Sequence, residues 1–286
     1  MIITGSLMLA VVGCSTDGSP SRAEASNPTS TSVASTTTTP SIGSTLQPGD
    51  RYVALGSSIA SGFGISVQSA SCGRSNRNYP NLIAARFALK LVDVTCGAAT
   101  IPNVLDTAQG AAPPQINAVT RETKLVTVTV GGNDIIYNGV AVACGDPTNV
   151  CTAPPGLDAS VASTRTALKT LIDRIKAAAP DATIVFVTYP REVPADKNCP
   201  ELSYTDGEAA IVRSMGEQLE ALFVEVVEPT GVVFVDPYVA TGDHTGCAPA
   251  AERWTAGHVP DDGFAYHPTA LGHEVMATMI AKALGD

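Results

Sequence analysis

Five short runs of Val, Ile, Leu and Thr, at residues 52–55, 91–95, 125–130, 183–188 and 232–235, constrain the fold more than any other feature of this chain. They are continuous rather than alternating. A strand with one wet face alternates apolar and polar residues, whereas a strand buried on both faces has no need to. The runs therefore read as strands of a covered, parallel sheet. Helical patterns fill the gaps between them. Residues 78–89 open with Tyr79-Pro80, and proline is tolerated in a first helical turn. In residues 159–179, Leu168, Leu171, Ile172 and Ile175 share a face, and Pro180 ends the run. Residues 208–227 and 269–284 repeat the pattern, the first with Ile211, Met215, Leu219, Leu222, Phe223 and Val226, the second with Leu271, Val275, Met279 and Ile280. Strands that alternate with helices predict a three-layer α/β/α sandwich around a mainly parallel five-stranded sheet.

The first 49 residues do not fit that scheme. Residues 1–13 form an apolar run too short to span a bilayer as a stable helix. The run ends in Val11-Val12-Gly13-Cys14, which resembles a bacterial lipobox. The expectation is a lipoprotein signal peptide over 1–13 and a lipidated Cys14, with a plain secretory signal as the alternative. No Lys or Arg precedes the apolar stretch, which leaves the start of the signal open. Two acyl chains at Cys14 would anchor the protein to a membrane, where one chain holds only marginally. The rest of 14–49 is rich in Ser, Thr and Pro and nearly free of large apolar residues. Such a segment buries too little surface to offset its ordering entropy, so it reads as a tether. Residues 50–286 are then one folded domain, long enough for a substantial core.

Charge and cysteine content narrow the setting. Seventeen basic against 27 acidic residues give a formal net charge of −10. That argues against nucleic acid as a partner and against electrostatic docking on anionic lipid. Six cysteines remain beside Cys14: Cys72, Cys96, Cys144, Cys151, Cys199 and Cys247. An even number in an exported chain implies disulfides and an extracytoplasmic location. Six cysteines allow fifteen pairings, and the residues alone do not choose among them. No Cys-x-x-Cys or His-x-x-x-His spacing points to zinc, and no metal or organic cofactor is expected.

Four fragments carry chemistry. Gly56-Ser57-Ser58 follows the first predicted strand and opens a helix. Serines there often serve as helix caps, but one just past a strand end also exposes its hydroxyl and N–H, so Ser58 is the candidate nucleophile. Gly97 follows the second strand and offers a backbone N–H with no side chain in the way. Gly131-Gly132-Asn133-Asp134 follows the third, and Asn133 offers an amide donor. Donors of this kind, aimed at a developing oxyanion, lower the barrier of acyl transfer. His267 precedes Pro268 at a helix start and is the candidate general base. Of the other histidines, His273 reads as packing or capping, His244 as structural, and His258 has no context. Gly56, Gly97 and Gly131 all fall at carboxyl ends of strands, where ligands bind in open α/β sheets.

These fragments, over the whole folded domain, resemble the SGNH hydrolases, also called the GDSL esterase/lipase family, and most clearly their secreted actinobacterial branch. The family's Gly-Asp-Ser appears as Gly56-Ser57-Ser58, its oxyanion glycine as Gly97, and its Gly-x-Asn-Asp as residues 131–134. The resemblance implies hydrolysis of carboxylic esters through Ser58 and His267, with an oxyanion hole of Ser58, Gly97 and Asn133. It also implies disulfides in sequence order: Cys72–Cys96, Cys144–Cys151 and Cys199–Cys247. The family's Asp-x-x-His appears as Phe264-Ala265-Tyr266-His267, so the usual acid is missing. A Ser58–His267 dyad is expected, with the Phe264 carbonyl orienting the imidazole; Asp261 or Asp262 bending in is the alternative. The expected substrate is a small-molecule or lipid ester. Two other functions use the same residues: O-acyl transfer or deacylation on cell-envelope glycans, and a tethered, non-catalytic binding protein.

Overall fold

A computed structural model describes residues 46–68 and 72–286. The sheet consists of β1 (Arg51–Gly56), β2 (Lys90–Asp93), β3 (Thr123–Thr129), β4 (Thr183–Val187) and β5 (Val233–Val235). Its order is β2-β1-β3-β4-β5. Every neighbouring pair is parallel, with Tyr52 opposite Leu91 on one side and Leu125 on the other. Each strand lies within three residues of its expected place. The continuous apolar runs are explained by burial: β1, β3 and β4 are covered on both faces, while the edges β2 and β5 are partly exposed.

The helices are α1 (Ser58–Ser61), α2 (Tyr79–Arg86), α3 (Ile101–Leu105), α4 (Tyr137–Gly145), α5 (Leu157–Ala178), α6 (Asp206–Val226), α7 (Pro237–Ala240) and α8 (Ala270–Ala283). The chain steps from β1 to β2 in one direction, then returns past β1 to β3, β4 and β5. Right-handed crossovers put the connections of those two directions on opposite faces. Accordingly α2 packs on α8, whereas α5 packs on α3 and α6. The result is the expected three-layer sandwich. The reversal between β1 and β3 is a topological switch point, where the loops splay apart and leave a crevice beyond the strand ends.

Two expectations about boundaries change. Residues 46–49 belong to the domain rather than to the tether. Leu46 packs against the core, Gly49 N–H donates to the Ala88 carbonyl, and Gln47 and Asp50 close a turn. The stretch 137–156, where no helical or strand pattern is expected, contains α4. The expected signal peptide, Cys14 and most of the tether lie outside the described residues. The disulfides are Cys72–Cys96, Cys144–Cys151 and Cys199–Cys247, the order that the resemblance implied. Among the described residues no helix is long and apolar enough to cross a membrane.

Candidate active site

Gly56 ends β1 at φ +141°, a conformation that suits glycine, and a Cβ there would come within 2.4 Å of the Thr129 carbonyl oxygen. Gln115 holds this turn from below: its Oε1 accepts from Gly56 N–H at 2.7 Å and its Nε2 donates to the Gly56 carbonyl at 3.0 Å. Ser57 takes the N-cap position of α1 but makes no side-chain cap. Its Oγ instead lies 3.4 Å from Tyr189 Oη. Ser58 is thereby carried to the floor of a cavity of about 420 Å³, lined by Ser58, Phe63, Ala98, Asn133, Phe264 and His267 among others.

Ser58 Oγ lies 2.8 Å from His267 Nε2. The other ring nitrogen, Nδ1, lies 2.9 Å from the Ala265 carbonyl oxygen. A carbonyl only accepts, so Nδ1 carries the proton and Nε2 is left to accept from the serine hydroxyl. His267 is 4% exposed. Burial pushes its pKa down to about 4, with the Ala265 carbonyl pulling weakly the other way. The imidazole is therefore neutral at pH 7 and able to take a proton.

The orienting carbonyl belongs to Ala265 and not to Phe264, which corrects the expectation. Tyr266 sits at φ +60°, so the chain turns sharply just before the histidine. That turn spends the Phe264 carbonyl on the His267 backbone N–H, at 3.2 Å, and brings the Ala265 carbonyl round to the ring. A left-handed tyrosine costs on the order of 1 kcal/mol. Complete burial of its ring and the bond from its hydroxyl to the Leu202 carbonyl, 2.8 Å, offset this. Neither aspartate supports the histidine. Asp262 accepts from Ser66 and Arg77 at the surface, and no contact joins Asp261 to His267.

The donors near Ser58 also differ from expectation at one position. Gly97 N–H is already bonded to the Cys72 carbonyl at 2.9 Å. The next residue, Ala98, stands at φ +62° and lines the cavity. Among the described residues the N–H groups of Ser58 and Ala98 meet no protein acceptor. Asn133 lines the cavity as expected. Its Nδ2 gives one hydrogen to the Ala99 carbonyl at 2.9 Å and keeps a second free. The loops after β2 and β3 are thus stapled together. Asp134 adds to the staple by accepting from Ile101 N–H at 3.0 Å. Burial raises the Asp134 pKa to about 6, opposed by that bond.

Several supporting residues carry no signal in the local sequence. Tyr189, just past β4, accepts from Gly132 N–H at 3.0 Å and so fixes the turn before Asn133. Gln109 donates to the Gly97 carbonyl at 2.6 Å. Phe63 packs edge-on against Phe264, which in turn meets the His267 ring edge-on. The remaining histidines stay out of the cavity. His273 Nδ1 accepts from Tyr79 N–H at the start of α2, at 3.1 Å. His244 stacks on Trp254, and His258 contacts Tyr266 Oη. Among the described residues no group of three or more His, Cys, Asp or Glu is placed to hold a metal ion.

The chain is similar to known proteins in sequence and in fold. Residues 54–275 match the model of the GDSL-like Lipase/Acylhydrolase family. Lipase 2 of Streptomyces coelicolor is 34% identical over 257 residues, covering 82% of this chain and 85% of that protein. The fold is shared with the crystal structure of an extracellular lipase from Streptomyces rimosus, at TM-score 0.65 and 24% identity over 82% of this chain and all of that one. It is shared equally with phospholipase A1 from Streptomyces albidoflavus NA297, at TM-score 0.65, 24% identity and 82% and 99% coverage. A family match that runs from β1 into α8 leaves one assignment: the chain belongs to the GDSL-like lipase/acylhydrolase family.

Proposed function

We propose that this protein hydrolyses carboxylic esters through a Ser58–His267 dyad. The observation that carries the reading is the 2.8 Å contact between Ser58 Oγ and a neutral, buried His267 Nε2 on the floor of a largely apolar cavity. His267 takes the serine proton as the oxygen attacks the ester carbonyl. The oxyanion forms beside the N–H groups of Ser58 and Ala98 and the free Asn133 amide hydrogen. The imidazolium then protonates the leaving alcohol, and the acyl group stays on Ser58 as an ester. Water, deprotonated by His267, attacks that ester and releases the acid and the free serine. The Ala265 carbonyl keeps Nδ1–H in place through both steps; it orients the ring without supplying a full charge.

The names of the relatives, lipase and phospholipase A1, support an acyl ester as the substrate class. The test is hydrolysis of p-nitrophenyl acetate, butyrate and palmitate, together with labelling by a fluorophosphonate. Turnover and labelling that both vanish in Ser58→Ala support the reading. A folded protein that is neither labelled nor active is a binding protein. Acyl transfer to added sugars that outruns hydrolysis makes it an acyltransferase.

We also place the protein outside the cytoplasm, held to a membrane through Cys14. Three disulfides fit an oxidising compartment. Labelling of cells with a clickable fatty acid tests the anchor: label on wild type and none on Cys14→Ser supports it, and equal labelling removes it.

A further inference from the structure

Helix α4 contributes Asn138, Gly139 and Val142 to the cavity beside Ser58. Gly139 stands out among the nearby glycines. Gly131 lies at φ +125°, and a Cβ there would meet the Phe223 ring at 3.0 Å. A Cβ on Gly132 would meet the Tyr189 ring at 2.9 Å. Nothing of the kind holds Gly139. Its φ is not left-handed, and beyond its chain neighbours and the backbone of its own helix an added Cβ would approach nothing closer than Ile136 Cβ, at 4.0 Å. The backbone does not ask for glycine here, and helices disfavour it. The missing side chain leaves room on the cavity side.

The surroundings of that room are apolar and costly to leave in water. Ile136, at the N-cap of α4, is 52% exposed and sits at φ +52° although it is β-branched. Val142 is 36% exposed. The sequence of α4 contains no charged residue, so its outward side offers nothing ionic to solvent. Phe264, 39% exposed, and Phe63 continue the apolar lining. Exposed apolar surface in the cavity lining, with a strained β-branched residue beside Gly139, marks a binding surface.

We propose that the α4 face formed by Ile136, Gly139 and Val142 holds the acyl chain of the substrate, and that Gly139 sets the chain length accepted. The inference rests on the ester-hydrolase reading above. The acyl group is assigned to this face because it stays bonded to Ser58 after the alcohol leaves, and so needs a bound place through both steps.

The test uses the full chain and dissolved, non-micellar p-nitrophenyl acetate and octanoate. The readout is the octanoate-to-acetate ratio of kcat/KM. In Gly139→Leu this ratio falls at least tenfold, through KM for octanoate. In Gly139→Ala it falls less than threefold, and the thermal midpoint rises by roughly 1–3 °C. Val142→Phe, a change at an exposed position, lowers the ratio in the same way and guards against misfolding at Gly139. An unchanged ratio in both Gly139→Leu and Val142→Phe overturns the proposal. So does selective loss on octyl acetate, which would put the alcohol on this face, or loss confined to vesicles, which would make it a membrane contact. Wild type that hydrolyses neither ester sinks the ester-hydrolase reading itself; wild type that cleaves acetate with no chain-length response sinks only this one.

Discussion

His267 Nε2 lies 2.8 Å from Ser58 Oγ although 209 positions separate the two residues. Each arrives on its own support. Ser58 is held by the Gly56 turn and its Gln115 clamp, His267 by the buried Tyr266. A nucleophile and its base act as one unit, so their losses do not add. Ser58→Ala and His267→Ala are each expected to lower kcat by about four orders of magnitude or more. The double variant should be no slower than the worse single one. Multiplying losses in steady-state ester hydrolysis would show that the two act independently.

The proposed oxyanion donors make a second, separable prediction. Asn133→Ala removes both the free amide hydrogen and the tie to Ala99. The expected loss is about 100- to 1,000-fold in kcat, with KM little changed. Gly97→Ala acts by another route. Its Cβ would come within 2.9 Å of the Phe63 ring and crowd the cavity wall. Its effect should therefore appear in KM and grow with substrate size. A Gly97→Ala loss that appears in kcat rather than in KM would mean that the added methyl displaces the neighbouring Ala98 N–H as well.

The sheet was legible because its central strands β1, β3 and β4 are buried on both faces, and such burial favours an unbroken apolar run. Ser58, Asn133 and His267 were legible because each follows a glycine-marked turn or precedes a proline at an element boundary. The finer assignments depend on contacts that no local pattern carries. Ala98 replaces Gly97 as the free N–H because the carbonyl of Cys72, whose disulfide partner Cys96 lies 24 residues further on, takes the Gly97 hydrogen. Ala265 replaces Phe264 because Tyr266 turns left-handed, which a tyrosine does only when its surroundings hold it there. Tyr189 and Gln115 reach the site from other elements. Helix α4 went unread because nine residues with glycine inside and at the end show no amphipathic period.

Burial of His267 is expected to set the acid limb of activity. An ordinary histidine, titrating near 6.5, would be only about 3% neutral at pH 5. With its pKa pushed down to about 4, His267 stays mostly neutral there. The limb of kcat/KM is expected to fall with a midpoint near pH 4 and to stay there in Asp134→Asn. Asp134 titrates higher, near 6, so a midpoint that moves down in that variant would assign the limb to the carboxyl that staples the loops.

The Cys72–Cys96 disulfide links the residue that accepts the Gly97 N–H to the loop carrying Ala98. Replacing both cysteines by serine should cost about 3 kcal/mol of stability on loop-closure grounds. It should also lower kcat at temperatures where the fold is intact, because the Ala98 N–H loses its fixed position. Denaturant titration and ester hydrolysis at 15 °C separate the two effects. A stability loss with unaltered kcat would confine this bridge to folding.

His273 gives a prediction about stability alone. It is fully buried, and its Nδ1 accepts from Tyr79 N–H. Burial holds its pKa down to about 3, with His267 as a smaller cause. In the unfolded chain it titrates near 6.5. Between those values the unfolded state binds the extra proton, so stability is full above pH 6.5 and falls as pH drops toward 3. His273→Gln keeps an acceptor for Tyr79 and removes the titration. Between pH 7 and pH 5 wild type should therefore lose about 2 kcal/mol more than the variant. The difference matters rather than either profile. Burial also raises the Glu220 pKa to about 8, and that group pulls the other way in both proteins. Denaturant unfolding of both at the two pH values measures it, and parallel losses would mean that the buried imidazole is already charged in the folded state.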